Sequence, residues 1–511
     1  MRKIWMVWVL VVSCLGVAGS AFAQWELIQT GFEYRKFTLS GPVEAFVVRM
    51  GLDEVTSRAV DSTIAQGQYY KTGIAYEGRE TPSAMAARYN DEINFYYQEW
   101  GKRNDVIAAI NGDYWEREYP GGPYTGRPTG GQIQSGWFAR RFDEYAGGSG
   151  FFWTIWGAPR LGGDVRNGDP PYIVKQYVFF ADASSAYFTK LNIERGTDDL
   201  VLYTPQWDGN THTDNSGVEV LVKVNRPALL IPDGVSANSC TGTVIEVRDG
   251  QGSTPIPFDH VVLSGTGTGA TTLRNKCQVG DTISLRMHLR DYGFPDRTPP
   301  HPAQDTTKAY GSCGVDREVV ISSTVTNLPS PDTTRDPRTA VAFNNNYMYF
   351  IVVDGRSGIS IGMTFAELAS FCINSLSATT GASLDGGGSS ALWVKGKGIV
   401  NHPSDGSERW VCNGMIMVAM NSMQLSGTFR EGRAVHTTSS AAVRLGPSTN
   451  CDSIATAPVD QQGVILSHSL NGVRAKGQNW WYWQYGSTAG WTSENQLALS
   501  PTGSQDWILY E

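Results

Sequence analysis

The sequence predicts an α+β fold, with a large mixed sheet in the main body and a small all-β barrel behind it. Three observations lead there. Short apolar runs alternate with Gly, Pro, Asn and Asp along most of the 511 residues, which is how strands and turns are written. Two longer stretches carry helical periodicity instead. Beyond residue 432 the helical signal stops while short strands and turns continue. A chain this long exceeds one ordinary core, so more than one domain is expected.

In chain order, residues 1–23 read as a secretory signal peptide. Arg2 and Lys3 precede an apolar stretch that ends in Ala21-Phe22-Ala23, the pattern of a cleavage site. An uncleaved anchor and lipidation at Cys14 are the alternatives. No later run is apolar for long enough to span a bilayer. The expected destination is secreted or periplasmic.

The body, taken as residues 24–425, contains strand-like runs such as AFVVRM, DVIAAI, VEVLVKV, HVVLSG and YFIVVDG. Its helices are expected over Thr81–Trp100 and over Thr364–Ser375, where Thr364 and Glu367 have the spacing of a capping box. The second unit, taken as 432–500, contains Val443-Arg444-Leu445-Gly446-Pro447-Ser448, then Gly463, Trp480-Trp481 and Gly490-Trp491-Thr492. That order resembles the bacterial SH3 (SH3b) domain. The resemblance implies contact with cell-wall peptidoglycan, the alternative being a structural appendage.

Formal charge is −8 with 41 basic and 49 acidic side chains. Nothing in this favours nucleic acid or an anionic membrane surface. Cleavage of the leader leaves Cys240, Cys277, Cys313, Cys372, Cys412 and Cys451. An even number in an exported chain suggests up to three disulfides. There is no Cys-x-x-Cys and the histidines are scattered, so a structural zinc site is not expected.

Four body segments share one grammar, an apolar run that ends in polar residues. DVIAAINGDYW delivers Asn111, Gly112 and Asp113. DPRTAVAFNNN carries Arg338 and Thr339 into a strand. FIVVDGRSG ends in Asp354, Gly355 and Arg356. LDGGGSS places Asp385 before Gly386, Gly387, Gly388 and Ser389, and is followed by Asn401, Asp405 and Arg409. Three successive glycines leave backbone amides open to an anion or a sugar hydroxyl. Arg338 and Arg356 suit a phosphate, while Asn111, Thr339 and Asn401 suit sugar hydroxyls. Asp354, Asp385, and Asp113 or Asp405, supply the carboxylates that glycoside cleavage generally needs. Each residue also has a plain reading: Arg338 pairing with Asp336, Asp354 capping a turn, Asn111 bracing a loop, Asp385 solvated in a turn.

Together, in this order, the segments resemble the phosphodiester glycosidase (NAGPA) family from about residue 30 to 425. The resemblance implies an α+β fold and hydrolysis of a sugar-1-phosphodiester such as that of N-acetylglucosamine. Asn111, Arg338, Asp354, Asp385 and Asn401 would line the pocket. Asp385 or Asp354 would act as nucleophile or base, with Arg338 and Arg356 on the phosphate. Asp113-Tyr114-Trp115 departs from the Gly-Phe-Phe of many relatives, and residues 205–300 form a long stretch with no assigned role. No cofactor is required. A divalent cation such as calcium is compatible with the carboxylates, although no ligand spacing demands one. The competing readings are a non-catalytic envelope protein that binds glycans and a phosphodiesterase that breaks the P–O bond. A serine hydrolase is disfavoured because Ser389 lacks the G-x-S-x-G setting.

Overall fold

The computed structural model describes residues 24–53, 62–68, 78–96, 99–117, 124–140, 149–154, 157–166, 176–225, 240–286, 290–291, 309–326 and 328–501. The leader and part of the glycine-rich segment after Trp115 lie outside these. Strands dominate. The three α-helices among the described residues span only 8, 10 and 12 residues: α1 (Pro82–Tyr89), α2 (Gly267–Lys276) and α3 (Phe365–Leu376).

This corrects the expected α+β class with a mixed sheet. The architecture is mainly β, and every described strand ladder is antiparallel except the one joining Lys190–Leu191 to Leu200–Tyr203. The long helix expected over Thr81–Trp100 stops after Tyr89. Asn90 caps it in an extended conformation and Asp91 turns left-handed at φ 58°. The chain then returns as the strand Ile93–Tyr96, because Ile-Asn-Phe-Tyr is rich in residues that favour a pleated surface. The helix α3 forms as expected, with Thr364 and Glu367 closing a reciprocal capping box.

The strands that carry the site are β1 (Val43–Gly51), β2 (Glu99–Asn111), β3 (Arg338–Phe343), β4 (Tyr347–Val353), β5 (Thr380–Ser383), β6 (Leu392–Val394) and β7 (Asn413–Asn421). One eight-stranded sheet contains β1, β4, β3 and β5 as successive neighbours. A six-stranded sheet contains β6, β2 and β7 in that order. The two sheets face each other across a core that includes Phe46, Val48, Phe350, Val352, Leu392 and Met415. Helix α3 covers the outer face of the first sheet through Leu368 and Phe371 against Ala45, Val47 and Ile351. Helix α1 covers the second through Met85 and Tyr89 against Val106, Ile416 and Val418.

The order is therefore helix, sheet, sheet, helix. Alternate residues of AFVV point to opposite cores, so these strands are buried on both faces and read as continuous apolar runs.

In the stretch without an assigned role, the described strands from Val218 to Arg286 belong to a separate eight-stranded sheet built from strands between Tyr177 and Arg286, with α2 packed on it, while Arg290–Asp291 pairs with Val165–Arg166 in another sheet. The C-terminal unit is another antiparallel sheet, from Ala434 to Leu499. It does not hang free. Leu470, Val473, Trp480 and Trp491 share one core cluster with Ile93 of the body. No described helix is long and apolar enough to cross a membrane.

No disulfide joins any of the six described cysteines, which corrects the expected bridges. Cys313, Cys372 and the pair Cys240 and Cys277 serve three different apolar cores as small buried side chains.

Candidate active site

The site forms where strand ends of the two facing sheets meet. On the first sheet, β3 and β4 pair with Arg338 opposite Val353, which sets Asp354 just beyond the strand end. The neighbouring β5 leads into Leu384, whose N–H donates to the Thr339 carbonyl at 2.8 Å. On the second sheet, β2 ends at Asn111 opposite Gly414. Asp385 bridges the two sheets through its backbone. Its N–H donates to the Gly112 carbonyl at 3.0 Å, and its own carbonyl accepts from Asn111 Nδ2 at 2.6 Å. Asn111 Oδ1 in turn accepts from the Thr339 hydroxyl at 2.7 Å. Asn111 and Thr339 are fully buried, so the geometry gives them a bracing role.

Asp385 is not the solvated turn residue of the plain reading. It is 6% exposed, and burial raises its carboxyl to about 6, against the opposing pull of Ser389 and Arg409. Asp113 and Asp316 push it further up. Asp316 is a site residue that sequence reasoning missed. Its N–H donates to the Ser383 carbonyl at 2.8 Å, and burial raises its carboxyl too, against Arg317 and Arg338. The signal was available, since Asp316 also follows a strand, Ala309–Gly314. Tyr114 was likewise left out. Burial raises its phenol, and Asp316 and Asp385 add to the shift.

Arg338 is held from behind. Its Nε donates to the Met363 carbonyl at 2.9 Å, its Nη2 to Thr334 at 3.0 Å, and its guanidinium lies 3.9 Å over the Phe365 ring. Burial lowers its pKa, with Asp336 and Asp316 opposing. Asp336 bonds instead to Arg356 Nε at 3.0 Å.

The glycine run packs between two arginines. Gly387 has φ +62° and lies under the Arg356 guanidinium, which a Cβ would meet at 3.1 Å. A Cβ on Gly388 would collide with Arg409 and Asp405, which form an ion pair at 2.6 Å. Arg409 Nη1 also donates to the buried Ser389 hydroxyl at 3.2 Å. Gly386 approaches the Pro337 carbonyl.

Asp354 occupies a neighbouring network. One carboxylate oxygen accepts from Asn401 Nδ2 at 3.0 Å, and the other lies 2.9 Å from His402 Nδ1. The Asn401 amide also donates to the Ser390 carbonyl at 3.1 Å, so Asp354 reaches the glycine loop through Asn401. Ligand atoms of Glu44, Asp354 and His402 lie within 4.8 Å of one another, and Glu44 Oε2 is buried with no partner. These three could hold a cation, and neither Glu44 nor His402 was among the expected residues.

Asp113 organises the adjoining loop. Its carboxylate accepts from the N–H groups of Tyr114 and Gly130, both at 2.7 Å, and from the Thr129 hydroxyl at 3.2 Å.

The Gly387 N–H donates to the Pro337 carbonyl at 3.0 Å, so this amide is not open to an anion as the glycine run suggested. Two facing sheets thus present a buried, elevated carboxyl beside a glycine loop packed under arginines. Residues 241–418 match the phosphodiester glycosidase (NAGPA) family model. That is about a third of the chain. The matched span holds Asp316, Arg338, Asp354, Asp385 and Asn401 and excludes the Asn111–Asp113 turn.

Three solved structures are similar at low identity. A hypothetical protein from Synechocystis has 16% identity and a TM-score of 0.47, covering 78% of this chain and 64% of its own. A putative exported protein from Burkholderia pseudomallei K96243 has 20% and 0.44, covering 74% of each chain. The zebrafish N-acetylglucosamine-1-phosphodiester alpha-N-acetylglucosaminidase catalytic domain, auto-inhibited by its pro-peptide, has 10% and 0.33, covering 78% and 86%. This chain thus spans slightly less than two thirds of the Synechocystis protein. No curated protein matches the sequence.

Proposed function

We propose that this protein is an exported hydrolase that cleaves a sugar-1-phosphodiester of the N-acetylglucosamine type in cell-envelope or exopolysaccharide glycans. The observation that carries the reading is Asp385, a carboxyl clamped between two sheets, raised to about 6 and adjoining the glycine loop under Arg356 and Arg409. The family match over 241–418 supports the same reaction class.

In this mechanism water attacks the anomeric carbon and gives its proton to Asp385. The C–O bond to phosphate breaks, and the phosphomonoester leaves with the bonding electrons. A base titrating near 6 is well matched to neutral operation. The phosphate is an anionic leaving group, so arginine charge replaces strong acid assistance. Arg356 and Arg409 flank the phosphate, and Arg338 adds positive potential from the end of β3. Asn111 and Thr339 hold the Asp385 backbone, and Asn401 joins Asp354 to the same loop.

The resemblance of the C-terminal unit to SH3b domains supports contact with peptidoglycan, which cosedimentation of the full chain with purified sacculi would test. The leader supports export. A divalent cation is proposed at Glu44, Asp354 and His402.

The deciding experiment is incubation with a defined N-acetylglucosamine-1-phosphodiester in ¹⁸O-water. Free sugar carrying the label supports the proposal. Label in the phosphate instead would identify a P–O phosphodiesterase, and tight binding without turnover would identify a glycan-binding protein.

A further inference from the structure

Tyr114 stands in the field of Asp385 and takes no part in the proposed hydrolysis. Its backbone is pinned. The N–H donates to Asp113 Oδ1 at 2.7 Å. The carbonyl accepts from the Thr129 N–H at 2.8 Å and from the Thr129 hydroxyl at 3.3 Å. Two residues earlier, the Gly112 carbonyl accepts from the Asp385 N–H at 3.0 Å. The turn that carries Tyr114 is therefore fixed against the residue that opens the glycine loop.

The side chain is the part left free. It is 43% exposed, yet burial is the chief cause that raises its phenol. The oxygen end is therefore the sheltered one, and a face of the ring is open. The phenol has no hydrogen-bond partner among the described residues. The charges that act on it most are Asp316, Asp385, Arg338 and Asp113. Arg356 and Arg409, which flank the phosphate in the proposed hydrolysis, are not among them. The oxygen thus faces the carboxyl side of the site.

Three carboxyl groups around one phenol repel a phosphate oxyanion. A neutral hydroxyl suits the same place, because it accepts the phenol proton and gives its own to a carboxylate. An aromatic ring with one polar end and one open face also matches a pyranose, whose apolar C–H face packs on it. Taking the proposed hydrolysis as the reaction, we infer that Tyr114 is the specificity-determining residue on the sugar side of the site. Its phenol donates to one hydroxyl of the pyranose being released, and its ring packs on that sugar. The substrate class narrows to pyranosyl phosphodiesters in which this hydroxyl is free. Sugars that lack it, or carry it acylated or glycosylated, are poor substrates.

The test is steady-state kinetics of the full chain on an N-acetylglucosamine-1-phosphodiester and its monodeoxy analogues. Wild type is expected to lose about tenfold in kcat/KM on one analogue, the worth of a single hydrogen bond. Tyr114→Phe is expected to lose about tenfold on the parent sugar, mainly through KM, and nothing further on that analogue. A tyrosine that only shaped the loop would lower activity on every analogue alike. Tyr114→Ala, which removes the ring as well, is expected to lose more than Tyr114→Phe on all of them. A Tyr114→Phe protein equal to wild type throughout, or weakened by one common factor with its fold intact by circular dichroism, overturns the proposal. If wild type releases no sugar, it is the hydrolase reading that falls. Calorimetry with the same sugars then decides: the selective loss in Tyr114→Phe supports the assignment of Tyr114, and its absence overturns it.

Discussion

Asn111 donates its side-chain amide to the backbone carbonyl of Asp385 across 2.6 Å, although 274 residues separate them. The bond ties the end of β2 in one sheet to Asp385, two residues past the end of β5 in the other. The same side chain accepts from Thr339, so one fully buried amide fixes three strand ends. Asn111→Ala strands both partners in a dry site. A loss of about 2–3 kcal/mol in unfolding free energy is expected, with kcat falling at least tenfold and KM little changed. Denaturant unfolding and steady-state kinetics check this. Unaltered kcat would remove Asn111 from the positioning of Asp385.

Asp385 itself is held at a cost that pH reveals. Its ordinary carboxyl value of 3.8 is raised to about 6 in the fold. Between these values the folded state holds the proton more tightly than the unfolded state does. Stability is therefore full below about pH 4 and falls as pH rises towards 6, by on the order of 3 kcal/mol. Asp385→Asn is expected to abolish hydrolysis and yet to unfold at higher temperature than the native protein at pH 7.5. Wild-type kcat/KM should rise through about pH 6 as the base ionises. A profile that falls through pH 6 would make Asp385 the acid.

Gly388 faces the Asp405–Arg409 ion pair with no room for a methyl group. Gly388→Ala must push the pair aside and draw Arg409 off Ser389. The expected result is a several-fold rise in KM for the phosphodiester and a much smaller effect on a sugar with an uncharged leaving group. Equal effects on both substrates would remove Arg409 from phosphate recognition.

The runs that build the facing sheets were legible because burial on both faces makes them continuously apolar, as in AFVV of β1. The polar strand ends at Asn111, Arg338, Asp354 and Asp385 followed from the same grammar. The helix beyond Tyr89 did not. Its periodicity continues formally, but Asp91 at φ 58° and the pairing of Ile93–Tyr96 with β2 decide the outcome, and both depend on tertiary context. Asp316 escaped notice because a lone Asp after Gly-Val carries no glycine run to mark it. Glu44 and His402 could not be paired with Asp354 from spacing: register across β1 and β4 brings Glu44 beside it, whereas His402 arrives on the loop after Asn401, its N–H donating to the Asp354 carboxylate. The cysteine parity misled because Cys313 and Cys372 each serve a different core from the one Cys240 and Cys277 share, and parity says nothing of placement.

Glu44, Asp354 and His402 bring two carboxylates and an imidazole together within 4.8 Å. One nitrogen donor among oxygens suits manganese or zinc better than calcium. Titration of the metal-free protein with manganese is expected to raise its unfolding temperature, with the rise lost in Glu44→Gln. Glu44 Oε1 also pairs with Lys36 at 2.7 Å, so Lys36→Met should strengthen the effect. No shift with manganese, zinc or calcium would reduce the cluster to a hydrogen-bonded pair, Asp354 with His402, beside an ion pair.

The cysteines give the last test. Burial pushes the Cys277 and Cys372 thiols up to about 12, and Cys313 is raised well above its ordinary value by burial beside Asp113. Thiolate is the reactive form, so these groups should resist a thiol reagent in the folded protein. In denaturant without reductant, the chain lacking its leader is expected to yield six thiols, the six described cysteines. Dithiothreitol should leave the unfolding temperature unchanged, whereas loss of a native disulfide typically costs about 2–5 kcal/mol. Fewer than six thiols in protein recovered from an oxidising compartment, together with a reductant-sensitive unfolding temperature, would show that bridges form after all. Cys313 and Cys372 lie in cores separate from each other and from Cys240, so the pair that shares a core, Cys240 and Cys277, is the one this test probes most directly.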